Sequence, residues 1–341
     1  MSDSESPEIG VIGAGSWGTA IAGMLGEKGC KVDLWAYEPE VCRSIVEDRE
    51  NAMFLPGIRL SENIRVSDDL DLVAGGKNMV VMVVPSHVMR EVAGRVAGSI
   101  PENAVVVSAA KGIENKTHLI MTGVLSEVMP GHTHMLAVLS GPSFAGEVAR
   151  QVPTVVTAAA EDPQIAGYVQ QVFATPFFRV YTNPDVMGVQ LGGAVKNVIA
   201  IASGIVDGLG LGLNSRAALV TRGLTEIRRL GIKLGAHPHT FAGLSGVGDL
   251  VLTCTGTLSR NHTVGKMIGQ GKKLPEILDR MSMVAEGVRT AKSVYNMSKK
   301  LGVEMPIADS VYAVLYEDLK PEDAVYQLMT RSLKSELEDV E

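Results

Sequence analysis

Lys196 is the one ionisable side chain in the run GVQLGGAVKNVIAIASGIV, Gly188 to Val206. Small and branched apolar residues alternate there, which reads as a packed helix and not a surface one. Removing an unpaired ammonium from water is costly, so a lysine in such a place is paired or has a lowered pKa. A lysine kept in such a place is a candidate for acid–base work, because burial pulls its pKa toward neutrality. The plainer alternative is a lysine that snorkels its head to water from the rim of a core helix. Asp249, just before the uncharged run LVLTCTGTLS, is a candidate partner. Lys111 follows an apolar strand-like run and puts a second ammonium where ligands sit in open α/β sheets. Ser259, Arg260 and Asn261 stand in sequence at a helix start. A hydroxyl, a cationic fork and an amide in that position form a phosphate receptor reinforced by the helix dipole. Ser259 also reads as a simple N-cap.

These residues need a scaffold, and the pattern of the chain supplies one. Apolar runs at EIGVIG (8–13), KVDLWA (31–36), MVVMVV (79–84), AVVVSAA (104–110) and HMLAVLSG (134–141) lack polar alternation and are mostly separated by amphipathic segments. That is the mark of a parallel sheet covered on both faces. TVVTAAA (154–160) and FRVYTN (178–183) extend it. Beyond about Asp185 only helical periodicity remains, over 186–207, 214–234, 259–270, 286–301 and 308–318. The expected fold is therefore α/β. Residues 1–187 form a dinucleotide-binding, Rossmann-like doubly wound sheet, and residues 188–341 an all-helical substrate and catalytic domain.

The first strand runs into Gly13-Ala14-Gly15-Ser16-Trp17-Gly18, which opens a helix. A GxGxxG pattern between a strand and a helix reads as a pyrophosphate site. Gly13 serves the tight turn, Gly15 the close approach of the phosphates, and Gly18 the packing of helix on strand. Glu38 lies where a carboxylate would bind a ribose hydroxyl, and Arg43 lies further on. The choice between NADH and NADPH stays open. Pro85-Ser86-His87 and Gly141-Pro142-Ser143 follow other strand ends and offer further walls and backbone donors.

A chain of 341 residues with 46% apolar composition can bury a sizeable core in two domains. The net charge of −7 gives no electrostatic argument for nucleic acid or an anionic membrane, so an anionic ligand needs a local cationic site. Cys30, Cys42 and Cys254 have no metal-type spacing, which points to a reducing, cytoplasmic compartment. The pairs His132/His134 and His237/His239 lack a third ligand, and no metal is expected. The start MSDSESPE is unlike a signal peptide, and Lys196 and Asp207 interrupt the best membrane-length run.

GAGSWGTA, FLPG (54–57), KGIE (111–114), SGPSFAGE (140–147), GGAVKNVIAI (192–201), SGVGDLVLTCTG (245–256), SRN (259–261) and GVEMPI (302–307) occur in order along nearly the whole chain. Together they resemble bacterial NAD(P)-dependent glycerol-3-phosphate dehydrogenase. The resemblance implies a cytoplasmic oxidoreductase, a homodimer with no nucleic-acid or membrane partner. It would interconvert dihydroxyacetone phosphate and sn-glycerol 3-phosphate with NAD(P)H, supplying glycerophospholipid synthesis. It makes Lys196 the acid–base, with Lys111 and Asp249 beside it. Gly141, Ser143, Asn197, Thr253, Ser259, Arg260 and Asn261 would join those three in holding substrate. Gly13, Gly15, Ser16, Trp17, Gly18, Tyr37, Lys111, Ala145, Arg260, Val284 and Glu286 would contact the cofactor. The family often carries a basic residue where Tyr37 stands. Two other readings remain: a dehydrogenase of the same plan acting on a 3-hydroxy acid, and a non-catalytic dinucleotide sensor.

Overall fold

The computed structural model describes residues 6–279, 281 and 285–336. Eight strands form one sheet: β1 (Glu8–Ile12), β2 (Lys31–Trp35), β3 (Ile64–Ser67), β4 (Met79–Met82), β5 (Val105–Ser108), β6 (Leu136–Ser140), β7 (Thr154–Ala159) and β8 (Phe178–Asn183). Their spatial order is β8-β7-β6-β5-β4-β1-β2-β3. The chain therefore reverses its direction of travel across the sheet beside β1, the switch point where doubly wound sheets take their ligands. β4, β5 and β6 are buried along their whole lengths, as their unbroken apolar runs require.

The sheet departs from the expected all-parallel form in one place. β6 and β7 pair antiparallel, with Leu139 opposite Ala158. Between them the only helix is the short Ala145–Ala149, too little for the usual crossover back to a parallel strand. β3, together with a small hairpin of Glu50–Asn51 and Leu55–Arg59, is an addition that apolar patterning did not reveal.

The chain packs as two compact units. One runs to Ala110 and resumes at Met121–Val186. The other joins Lys111–Ile120 to the helices from Met187 onward. In the first unit, α1 (Ser16–Glu27) covers the core of Ile9, Val11, Val32, Leu34, Met79 and Val81. In the second, the longest helix is α2 (Val186–Gly208), buried continuously from Gly188 to Val206. It is long and apolar enough to cross a membrane by composition, yet it forms the core of the helical unit together with Ile113, Ile227, Leu250, Val264 and Val294.

Around α2 lie α3 (Gly212–Lys233), α4 (Asp249–Thr255), α5 (Arg260–Gly269), α6 (Glu286–Leu301) and α7 (Pro306–Tyr316). The start of α7 has no side-chain cap of its own. Glu226 of α3 takes that place, its two oxygens accepting the N–H groups of Ile307 (2.7 Å) and Ala308 (3.1 Å). Burial raises the Glu226 carboxyl from 4.5 to about 8, against the pull of those N–H groups and of Arg229. The folded chain thus binds more protons than the unfolded chain between those two values, so stability falls as pH rises through that window. Glu226→Gln should flatten that part of the profile, measured as urea midpoints at pH 5 and 8.

Candidate active site

Lys196 sits midway along α2, and its burial would be prohibitive without partners. It has two. Its ammonium donates to Asp249 Oδ1 and, at 2.7 Å, to Thr253 Oγ1. Thr253 sends its own proton one turn back to the Asp249 carbonyl (2.6 Å), so its oxygen lone pairs are free to accept from the lysine. Asp249 Oδ2 accepts from Lys111 Nζ at 2.7 Å. Lys196 is 5% exposed and Asp249 1%, so one desolvated carboxylate bridges two ammonium groups. The snorkelling alternative does not hold, because the lysine head turns inward.

The charges leave a surplus of positive charge beside a half-open Lys111, an arrangement suited to an oxyanion. Burial brings the Lys196 pKa down from 10.5 to about 8, with Asp249 opposing the fall and Lys111 adding to it. An ammonium that gives up its proton near neutral pH is what general acid–base chemistry needs.

The backbone explains how Asp249 reaches α2. A π-helical turn, Leu244–Gly248, precedes α4 and delivers Asp249 as its first residue. Gly192 lies one turn before Lys196 on the same face of α2. A Cβ on Gly192 would come within 2.5 Å of the Ser245 carbonyl oxygen, so its bare Cα lets that turn close on the helix.

Ser259, Arg260 and Asn261 open α5. Ser259 Oγ accepts from the His262 N–H (3.2 Å), so it is the N-cap and still keeps a hydroxyl proton to donate. Asn261 Oδ1 accepts from the Gly287 N–H at the start of α6 (2.9 Å), which turns its NH2 into the remaining donor. Arg260 is exposed. Surrounding protein lowers its pKa, and Glu286 works in the opposite direction. Asn197, adjacent to Lys196, is buried, and its carbonyl packs against Gly287. The helical unit thus gathers Lys111, Lys196, Asp249 and Thr253 in one cluster and ties Asn197, Asn261 and Gly287 together in a second.

In the first unit, the glycine loop joins β1 to α1. A Cβ on Gly18 would meet the Gly13 carbonyl oxygen at 1.8 Å, so the helix seats only on glycine. Gly15 precedes α1 with extended backbone, and open space surrounds the place of its missing Cβ. Trp17 Nε1 is buried without a hydrogen-bond partner among the described residues. An open cradle at a helix N-terminus and a waiting donor fit a dinucleotide pyrophosphate. Two residues outside the motif brace the loop. Asn51 Nδ2 donates to the Ala14 carbonyl and to Thr19 Oγ1, both at 2.8 Å, and Ser16 Oγ donates to the Phe54 carbonyl at 2.6 Å. The FLPG segment was visible in the sequence, but nothing in its spacing marked Asn51.

Tyr37 follows β2 and is 73% exposed, its ring tilted against Trp35. Gly141, Ser143 and Ala145 follow β6, where Ser143 Oγ donates to the Gly141 carbonyl at 3.0 Å. Glu286 is the first residue of α6. Val284 lies outside the described residues.

Two family models match this chain: the NAD-dependent glycerol-3-phosphate dehydrogenase N-terminus over residues 8–166 and the C-terminus over residues 185–326. A glycerol-3-phosphate dehydrogenase [NAD(P)+] of Syntrophobacter fumaroxidans is 55% identical over 97% of this chain and 97% of its own. The protein of that name in Citrifermentans bemidjiense is 56% identical over 96% and 98%. The crystal structure of glycerol-3-phosphate dehydrogenase from Coxiella burnetii superposes with a TM-score of 0.92 at 38% identity, over 96% of this chain and 99% of that one. Matches this extensive in both halves leave one assignment: the chain belongs to the NAD-dependent glycerol-3-phosphate dehydrogenase family.

Proposed function

We propose that the protein reduces dihydroxyacetone phosphate to sn-glycerol 3-phosphate, and runs the reverse reaction, using NAD(P)H in the cytoplasm to supply glycerophospholipid synthesis. The observation that carries this reading is the Asp249 carboxylate bridging Lys196 and Lys111 in the same unit as the Ser259–Asn261 helix start. When bound, the dinucleotide supplies the hydride. Lys196 gives a proton to the oxygen of the reduced carbon, and takes one in the oxidative direction. Lys111 polarises that oxygen, and Asp249 with Thr253 fixes where the Lys196 proton points. Ser259, Arg260 and Asn261 hold the phosphate, with Asn197, Gly141 and Ser143 as further substrate contacts. That remote anchor aligns the carbonyl. The glycine loop binds the pyrophosphate, with Ser16, Trp17, Tyr37, Lys111, Ala145, Arg260, Val284 and Glu286 completing the cofactor contacts.

Oxidation of NADH and of NADPH with dihydroxyacetone phosphate, run beside a panel of 3-keto acids, tests the substrate and settles the cofactor preference. Activity confined to the keto acids would refute the reading. Arg260→Ala should raise the KM for dihydroxyacetone phosphate by about 10- to 100-fold, the loss of a charge-assisted contact to phosphate. An unchanged KM would remove Arg260 from the phosphate site. The working form is taken to be a homodimer with no nucleic-acid or membrane partner, and light scattering at twice the chain mass checks the dimer.

A further inference from the structure

Lys111 reaches Asp249 from a segment tied to the helical unit by the buried Ile113 and by hydrogen bonds from Ser293. Residues Lys111–Ile120 form a tight hairpin, with Ile113 bridged to Ile120 and the Glu114 N–H donating to the Leu119 carbonyl at 2.9 Å. Ile113, two residues from Lys111, is buried in the helical core. Above it on α6 sits Ser293, 0% exposed. A serine inside a helix commonly bonds its own backbone one turn back. Ser293 does not. Its Oγ donates to the Ile113 carbonyl at 3.0 Å and bonds the Asn115 side-chain amide. The single hydroxyl proton serves one of these partners, and the amide, which can present either oxygen or nitrogen, completes the other. A fully buried hydroxyl is unfavourable without such bonds, so these contacts define where the hairpin can rest.

We propose that Ser293 is a positioning residue for Lys111, clamping Ile113 and Asn115 so that the ammonium stays on Asp249. This rests on the reading of Lys111 as the group that polarises the substrate carbonyl. Ser293→Ala should lower kcat for dihydroxyacetone phosphate reduction about tenfold, because small displacements of a catalytic group are expensive. In a Lys111→Met background the same change should have no further effect on kcat, since both lie on one chain of action. Hydrogen exchange should quicken at the amides of Glu114 and His118, both bonded within the hairpin, and stay slow along Glu286–Leu301.

Equal losses in both backgrounds would overturn the proposal, as would unchanged exchange in the hairpin. Normal activity of Lys111→Met would refute the role of Lys111 alone, and the exchange measurement would still decide whether Ser293 holds the hairpin. Should Ser293→Ala not fold, Asn115→Ala, which removes the outer half of the clamp from a half-buried position, should show the same pattern at about threefold.

Discussion

Replacing Lys196 by methionine is expected to lower kcat by about 10²–10⁴ while leaving dinucleotide affinity unchanged. Methionine keeps the length of the side chain and removes the proton donor. Taking one partner from a buried ion pair usually destabilises strongly, because it strands the other charge. Here Asp249 keeps Lys111 at 2.7 Å, so the variant should fold. The pH dependence gives a second reading. Ketone reduction needs the ammonium, so kcat/KM of the native protein should fall as pH climbs through about 8. Alcohol oxidation needs the neutral amine and should rise to a plateau above that point. Both inflections should vanish in Lys196→Met. Near-normal turnover in the variant would end the assignment.

Gly192→Ala should cost about 10²-fold in kcat, although alanine is the better helix former by about 1 kcal/mol. The new methyl carbon would lie 2.5 Å from the Ser245 carbonyl oxygen, and that atom is backbone. The turn carrying Asp249 must therefore retreat from α2, and the lysine loses its orienting carboxylate. Overpacking typically costs about 1–3 kcal/mol, so the propensity gain is offset and the fold survives. A kcat within twofold of the native value, measured at saturating substrates, would show that Asp249 does not depend on this close approach.

Much of the fold was legible because a strand buried on both faces has no freedom to be polar. Met79–Met82 and Val105–Ser108 announce themselves for that reason. Direction is different: the apolar runs of β6 and β7 look alike whichever way the chain travels, so their antiparallel pairing was hidden. Ile64–Ser67 was missed because Arg65 breaks its apolar run. In the site, Lys196 stood out as a charge among apolar neighbours.

Burial of a lysine is nevertheless not a signature of chemistry. Lys77, 8% exposed, lies in a glycine-rich stretch that reads as a surface turn, yet its ammonium sits 2.6 Å from Asp33, which Arg65 also grips at 2.7 Å. Asp33 has no acid–base partner beyond these, and desolvation of its carboxyl is outweighed by the two cations, leaving its pKa lowered. What separates the two sites is the second cation on the shared carboxylate: at Asp249 it is a lysine ammonium, at Asp33 a guanidinium that does not give up its proton. That is a three-dimensional fact. Ser293 was likewise invisible, since a serine among helical residues says nothing about which distant carbonyl it will meet.

The placement of Lys111–Ile120 with the helices has a consequence for how this protein could be recombined. The chain enters the helical unit twice, so no single cut separates the two halves cleanly. A chimera joined at Val186/Met187 would take Lys196, Asp249 and Ser293 from one parent and Lys111, Ile113 and Asn115 from the other. Its acid–base pair would be native and its hairpin foreign. Exchanging the helical unit intact requires two exchanges, one of them no longer than a hairpin.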